Sequence, residues 1–222
     1  MNRKIKYTIE YRNRKTVSIK ILNNGIIKII APFGLTTKEI DTILTKKEKW
    51  ISDKLTLVET RYKLKNDELL FLGDIYKMKV IEERNIKNNF MILHENTFII
   101  NVKDKSYVDI TIEKWFRNQT EILIKQYIQD YLSYFNGVTP KSITIKEQKN
   151  IWGSCSYINK IFFNWRLSMA NEVAIRYVVV HEMCHMIHKN HSIKFWDEVR
   201  RIMPNYEKGN DWLKNNGYLL YK

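Results

Sequence analysis

The pattern of apolar and polar positions in the first half of the chain is that of β-structure. Residues 17–21 alternate apolar and polar side chains, which predicts a strand. Asn24-Gly25 follows, a strong signal for a two-residue hairpin turn that leads into a second strand at residues 26–31. Strands are also predicted at residues 69–72, 75–81, 90–93 and 97–102. We therefore expect a β-rich N-terminal lobe over residues 1–105.

Helical spacing predicts one long helix within that lobe and several helices after it. Thr36 and Glu39 have the spacing of a capping box, so a helix is expected from residue 37 to about residue 64. Residues 109–135 carry a broad apolar stripe at helical spacing, which predicts a long amphipathic helix. Further helices are predicted after Asn171, at residues 192–203 and near residues 207–215. The expected fold class is α+β, with a largely helical C-terminal lobe over residues 106–222.

A cluster of histidines lies on the helix predicted after Asn171. Four of the five histidines of the chain fall within residues 181–191, and His181, Glu182 and His185 form an HExxH pattern. Residues four apart on a helix differ by about 40° in direction, so both imidazoles can hold one ion at about 2.1 Å. Glu182 lies about 100° away, where it suits a general base acting on water at the ion. The simpler interpretations are a core helix with solvated histidines and a structural metal site.

A third metal ligand has two candidates, His188 and His191. On a continuous helix His188 lies about 10.5 Å from His181 along the axis, too far for both to reach one ion comfortably. His191 can return to the ion only if the helix ends before it. Asn190 tolerates the left-handed conformation that follows a helix, and Ser192 is a favourable N-cap, so we expect a turn at residues 190–191. We prefer His191 as the ligand, with His188 as the alternative or as a group that supports the ligands.

Several motifs together resemble those of one known family. In the C-terminal half they are Tyr177-Val-Val-Val-His181-Glu-Met-Cys-His185, Asn190-His191-Ser192, Phe195-Trp196, Trp152-Gly153-Ser154-Cys155-Ser156 and Asn164-Trp165-Arg166-Leu167. In the N-terminal half they are Arg14-Lys15-Thr16, Ala31-Pro32, Trp50-Ile51 and Phe71-Leu72-Gly73. Over most of its length the chain thus resembles the YgjP-like metallopeptidase family. It departs from the expected pattern at Ile151, where a basic residue that could help to hold a substrate is expected.

The resemblance implies a zincin-like C-terminal lobe and relatives among the SprT-like proteins linked to DNA. It implies metal ligands at His181, His185 and His191, with Glu182 as the catalytic residue. One zinc ion is the expected cofactor, and manganese, iron or nickel are the alternatives. The lead function is hydrolysis of peptide bonds in a polypeptide substrate. The alternatives are a nucleotide phosphohydrolase or pyrophosphatase that uses the same metal and base, and a nucleic-acid-binding module that its metal only shapes.

A substrate-binding segment is predicted just before the metal helix. In zincin-like folds, a sheet edge beside the site can hold an extended substrate by strand addition. We expect residues 160–166 to form that edge, with Trp152 and Arg166 near the site as substrate-binding residues. The simpler interpretation is a hairpin that only packs.

Charge and cysteine content bear on partners and location. The net charge of +14 is spread over the chain, with 22 basic and 13 acidic residues in 1–105 and 16 and 11 in 106–222. This excess suits a polyanion such as nucleic acid, and a soluble lysine-rich surface is the simpler, preferred interpretation. Apolar runs stay well below the about 18 residues of a membrane span, and no signal peptide is expected. With only Cys155 and Cys184, a reducing cytoplasm is the expected location.

Overall fold

The computed structural model of the chain describes residues 7–22, 24–149 and 151–221. The chain divides into two units, Met1–Lys63 and Leu64–Lys222, and each has its own cluster of buried apolar residues. The boundary expected at residue 105 therefore falls inside the second unit. The reason is that strands before this position and helices after it share one core, as the contact between Phe98 and Phe116 illustrates.

The first unit consists of a three-stranded sheet and two helices. The strands are β1 (Tyr7–Arg12), β2 (Ser18–Ile21) and β3 (Ile27–Pro32). The central strand is β3, with β1 parallel and β2 antiparallel to it. The helices α1 (Thr37–Lys46) and α2 (Glu48–Thr60) follow. Alternate residues of β3 pack against both helices, in a core formed by Ile27, Ile29, Ala31, Ile40, Leu44 and Ile51.

The cap signal in this unit is confirmed, but the two-residue turn and the single long helix are wrong. The chain does turn between β2 and β3 at Asn24-Gly25, with Gly25 at φ +78°, but the Leu22 amide bonds the Ile26 carbonyl, so the loop is longer than two residues. Thr36 and Glu39 form the predicted capping box. The helix breaks at Lys47, which has φ −109° and ψ 8°. An unbroken helix from residue 37 to 60 would be about 36 Å long, nearly twice the ~20 Å of a six-residue strand, so it could not stay on the sheet.

The second unit begins with a four-stranded sheet covered by a long helix. Its strands are β4 (Glu68–Phe71), β5 (Asp74–Glu82), β6 (Phe90–His94) and β7 (Thr97–Val102), in the order β4-β5-β7-β6. The pair β5–β7 is parallel, and the other pairs are antiparallel. Helix α3 (Val108–Tyr131) follows and packs on this sheet through the buried Phe116 and Ile124.

A second sheet of three short strands precedes the C-terminal helices. The strands are β8 (Ser142–Lys146), β9 (Gly153–Cys155) and β10 (Lys160–Asn164), with β10 in the centre. The prediction that residues 160–166 form a sheet edge is therefore wrong, and β9 is an edge among the described strands. Its three residues are too few to show an alternating pattern, so the sequence did not reveal it.

Helices make up most of the remaining chain. A 3₁₀ helix (Trp165–Met169) leads to α4 (Glu172–Cys184), α5 (Ile193–Ile202), α6 (Tyr206–Asn216) and a final 3₁₀ helix (Gly217–Tyr221). The architecture is thus mixed α+β, with a β-rich N-terminal region and a helical C-terminal part. Within the described ranges, no helix combines the length and the apolar character needed to cross a bilayer.

Candidate metal centre

The candidate centre lies at the C-terminal end of α4, a helix that is buried on several sides. The side chain of Asn171 caps its first turn, because its Oδ1 accepts a hydrogen bond from the Ala174 amide at 2.9 Å. The helix ends at Cys184, and His185 follows as the C-cap residue, still with φ −67° and ψ −13°. His181 therefore lies in the last turn, one turn before His185, and the two imidazoles are on the same side.

The segment after α4 turns back and returns His191 to the helix end. Two hydrogen bonds between residues three apart form the first part of this turn. They run from the Met186 amide to the Met183 carbonyl (2.9 Å) and from the Ile187 amide to the Cys184 carbonyl (3.1 Å). The helix ends well before the turn expected at residues 190–191, and Asn190 does not have the expected left-handed conformation. The turn is made instead by several residues after Cys184, whose bonds to the helix carbonyls replace a single left-handed cap.

Three imidazoles converge at this point. The Nε2 atom of His191 lies 3.0 Å from Nε2 of His181 and 3.2 Å from Nε2 of His185. Two ligand atoms at about 2.1 Å from one tetrahedral zinc ion are about 3.4 Å apart, so these separations fit a shared ion. In the described part of the chain, this trio is the only group of three or more potential metal-ligating side chains, and His188 does not belong to it.

Hydrogen bonding and protonation both prepare the imidazoles for a metal. His185 donates from Nδ1 to the carbonyl oxygen of His188 at 2.9 Å, which leaves its Nε2 free to bind an ion. Burial, with a contribution from the neighbouring His185 and His191, lowers the pKa of His181 to about 3. Burial also lowers the pKa of His185. These imidazoles are therefore neutral at physiological pH, the form that binds metals.

Aromatic side chains of α5 hold the three imidazoles in place. The ring of Phe195 is fully buried, and its centroid lies 4.5 Å from that of His185, 4.8 Å from that of His191 and 4.9 Å from that of His181. Trp196 stacks on His191 with the ring centroids 5.7 Å apart. These ring contacts restrict the rotation of the three imidazoles.

The carboxyl group of Glu182 is buried next to His181. Glu182 is 5% exposed, and none of the described residues forms a hydrogen bond with its buried Oε2 atom. Burial raises the pKa of Glu182 to about 8. A buried carboxyl oxygen without a partner is costly, which suggests a site for an ion or a water molecule. The donor set and this free oxygen together fit a divalent transition-metal ion with a water molecule beside it.

A cavity of about 320 Å³ opens beside His181 and Glu182. Its remaining walls come from three segments: Ile151, Trp152 and Gly153 before and in β9, Tyr177 and Val178 in α4, and Asn210, Leu213 and Lys214 in α6. Trp152 thus lies at the site, where the sequence predicted it.

Comparison with known proteins identifies the family of this chain. The profile of the YgjP-like metallopeptidase domain matches residues 15–216. The chain belongs to the YgjP-like metallopeptidase family. The resemblance seen in the sequence motifs is therefore confirmed.

Curated proteins and solved structures give less information about this chain than the family profile. No curated protein matches this chain. Among solved structures, the metallopeptidase zymogen abylysin of Pyrococcus abyssi matches 40% of this chain and 89% of its own, at 19% identity and a TM-score of 0.37.

In this YgjP-like chain, Arg166 lies away from the cavity that Glu182 lines. Its guanidinium donates to both carboxylate oxygens of Glu147, at 2.6 and 2.8 Å, and lies 4.1 Å from the Trp165 ring. It also lies 5.1 Å from the ring of Tyr221, near the C-terminal end of the described chain. Arg166 lines a different cavity, with Leu220 among its neighbours. The structure thus gives Arg166 the surroundings of a residue that holds the C-terminal segment, and does not bring it to the predicted substrate site.

Sequence reasoning did not assign a role to Gly153 or to α6. A Cβ atom on Gly153 would lie 2.6 Å from Cγ of Glu182, so the absence of a side chain allows the carboxyl group to pack against β9. A glycine within a strand often marks such a close approach, and the Trp-Gly-Ser-Cys-Ser motif could have suggested it. The cavity residues Asn210 and Leu213 carried no signal, because their position depends on how α6 packs on α4.

Proposed function

We propose that this protein is a zinc-dependent metallopeptidase in which Glu182 acts as the general base. The observation that carries the proposal is the convergence of three imidazole nitrogens, with Nε2 of His191 3.0 and 3.2 Å from the other two, next to a buried carboxyl oxygen that has no partner among the described residues. Membership of the YgjP-like family supports a polypeptide substrate. Three histidine ligands without a fourth protein ligand are typical of catalytic zinc sites, whereas structural sites normally have four protein ligands.

His181, His185 and His191 would hold the ion through their Nε2 atoms. A divalent ion bound there would polarise the substrate carbonyl and lower the pKa of an adjacent water molecule. Zinc is favoured because all three ligands are imidazoles. Phe195 and Trp196 keep the ligands in place, and the His188 carbonyl sets the tautomer of His185.

Glu182 would move the proton during hydrolysis. Burial alone would leave this carboxyl group protonated at neutral pH, and the positive charge of a bound ion would restore the carboxylate. In that form its Oε2 atom could accept a proton from the attacking water and return it to the amine leaving group. Burial of the side chain limits competition from bulk water for this proton. Gly153 keeps the carboxyl group against β9, so that Glu182 acts from a fixed position.

The edge strand β9 offers a binding surface for an extended substrate. In its sheet β9 is paired on one side only, with β10, and it starts at Gly153, directly beside Glu182. A polypeptide could add to the free side of β9 through backbone hydrogen bonds, which bring affinity with little dependence on sequence. This proposal replaces residues 160–166 with β9 as the substrate-binding edge.

A comparison of wild type with Glu182→Gln tests the function. Both proteins, reconstituted with zinc, are offered denatured polypeptide and, separately, nucleoside triphosphates. Loss of the general base should lower polypeptide cleavage by about 10²-fold or more while the metal content stays the same. Glu172→Gln is a matched control, because Glu172 lies on the same helix and pairs with Arg176 at 2.8 Å, away from the cavity.

The outcomes separate the lead function from its alternatives. Phosphate release that is lost in Glu182→Gln, without polypeptide cleavage, would make the protein a nucleotide hydrolase. Equal polypeptide cleavage by wild type and Glu182→Gln would exclude Glu182 as the base. A protein that turns over neither substrate but binds nucleic acid with a steep salt dependence would be the binding module.

A further inference from the structure

The cavity beside Glu182 has a composition that points to one class of substrate side chain. Ile151, Trp152, Val178 and Leu213 present apolar surface to it. Its volume of about 320 Å³ is at the lower end of the range for ligand sites and is large enough to accept a large side chain. Glu182 and His181 line the same cavity, so whatever fills it lies next to the reacting bond.

The aromatic wall of this cavity is held rigidly by the C-terminal segment. The ring of Trp152 packs on Tyr221 with the centroids 5.3 Å apart. Gly217 lies so close that a Cβ there would be 3.0 Å from Cζ2 of Trp152. The Trp152 carbonyl accepts a hydrogen bond from the Asn164 amide at 2.9 Å. A wall fixed in this way cannot collapse onto a small side chain, and a preformed pocket discriminates by how well it is filled.

Apart from Glu182, whose carboxyl group is assigned to proton transfer, the ionic side chain at the cavity is Lys214, and it does not provide a strong site for a charged side chain. Lys214 contributes to the wall, but its side chain is 63% exposed and its Nζ lies 3.1 Å from Oδ1 of Asp211. A surface pair of this kind is screened by solvent and contributes little binding energy. A basic side chain would be repelled by the positive charge of Lys214. An acidic side chain would lose its hydration and gain only contacts with apolar walls. Both are therefore less favourable occupants than an apolar side chain.

The cavity is also connected to the edge strand. Trp152 and Gly153 line the cavity, and β9 begins at Gly153. A polypeptide that adds to β9 would run past Glu182 and place one side chain at the cavity mouth. We infer that the cavity selects a large apolar residue, such as leucine, methionine or phenylalanine, directly adjacent to the bond that is cleaved. This inference rests on the proposed peptidase function and names the class of substrate.

The test uses peptides with a single cleavable bond, varied in one set at the residue before the bond and in a second set at the residue after it. In each set, the varied residue is leucine, phenylalanine, alanine, aspartate or lysine. Cleavage of the leucine or phenylalanine peptide should exceed that of the alanine peptide by about 10–200-fold in kcat/KM, the range for apolar groups in a hydrophobic pocket. Binding of the same peptides to the zinc-loaded Glu182→Gln protein, measured by calorimetry, gives a second readout that does not require turnover.

A charge introduced in the cavity wall should change this preference. Ile151 is 48% exposed, so Ile151→Lys should fold normally. It should reduce the preference for leucine over alanine by about tenfold or more and favour the aspartate peptide, because the ammonium group meets the incoming side chain. Ile122→Lys is a matched control, since Ile122 is 51% exposed on α3 and does not line the cavity.

The two readouts keep the inference separate from the proposed function. Polypeptide cleavage that is independent of the varied side chain and unchanged in Ile151→Lys would overturn the pocket assignment and leave the peptidase intact. Absence of cleavage by zinc-loaded wild type would overturn the peptidase proposal. In that case, equal binding of leucine and alanine peptides to Glu182→Gln would overturn the pocket assignment too. A binding preference for leucine that disappears in Ile151→Lys/Glu182→Gln would support the pocket by itself.

Discussion

A single methyl group added at residue 153 should disturb Glu182 without disturbing the metal ligands. In Gly153→Ala, the new Cβ would lie 2.6 Å from Cγ of Glu182, 2.8 Å from Oε1 and 2.9 Å from Cδ. Ordinary contacts of a Cβ atom lie at 3.4–4 Å, so the carboxyl group has to move by about 1 Å. The φ angle of Gly153 is not positive, so alanine adds no backbone strain.

The expected effect of this displacement is on kcat. A misplacement of about 1 Å in a catalytic arrangement can cost about 10²-fold in rate. Overpacking should also lower the free energy of unfolding by about 1–3 kcal/mol. Zinc content should stay at the wild-type value, because the atoms nearest to the added methyl group all belong to Glu182. The measurements are kcat and KM for polypeptide cleavage, zinc content, and thermal unfolding of the same preparations.

A control with a similar clash elsewhere separates catalysis from stability. In Gly73→Ala, the new Cβ would lie 2.7 Å from Cβ of Asn171, at the start of α4, and the φ of +90° would add backbone strain. This variant should lose stability but keep most of its kcat below its unfolding temperature. A wild-type kcat in Gly153→Ala, or a loss of activity that follows a loss of zinc, would refute the role of Gly153 in positioning Glu182.

Two further predictions concern the third ligand and Arg166. His191→Ala should lower zinc affinity by more than about 10–100-fold, the loss expected when only a hydrogen-bond partner of a ligand is removed. His188→Ala should change zinc affinity little, because it keeps the backbone carbonyl that bonds His185. Chelator competition measures both affinities, and a larger loss in His188→Ala would make His188 the ligand. Arg166→Ala should lower the free energy of unfolding by about 1–2 kcal/mol without changing kcat of the folded protein, and a selective loss of kcat would restore its predicted substrate role. Burial opposes ionisation of Glu147, but hydrogen bonds from Trp165 and Arg166 hold its pKa below the ordinary 4.5. The stabilising effect of Arg166 should therefore be full above pH 4.5 and should disappear as the pH falls through the lowered pKa.

The sequence by itself determined the features that depend on neighbouring residues. The place of the turn at Gly25 and the Thr36–Glu39 capping box were predictable because these signals act within four residues, whereas the length of the turn depended on how β2 pairs with β3. The pairing of His181 with His185 and the position of Glu182 beside them follow from helix geometry alone. Family membership was also predictable, because each of the motifs that carry it is a short contiguous stretch of the sequence.

The tertiary structure decided everything that depends on residues far apart in the chain. The strand order placed β9 at an edge of the sheet, where residues 160–166 were expected. The sequence could not show this, because the alternation within a single strand does not encode which strands it pairs with. Packing of α5 returned His191 to the helix end, and the bond to Glu147 held Arg166 away from the site. The cavity beside Glu182 exists because α6 packs on α4 opposite Trp152. Such contacts come from the close packing of surfaces that are distant in sequence, so no local pattern could have specified them.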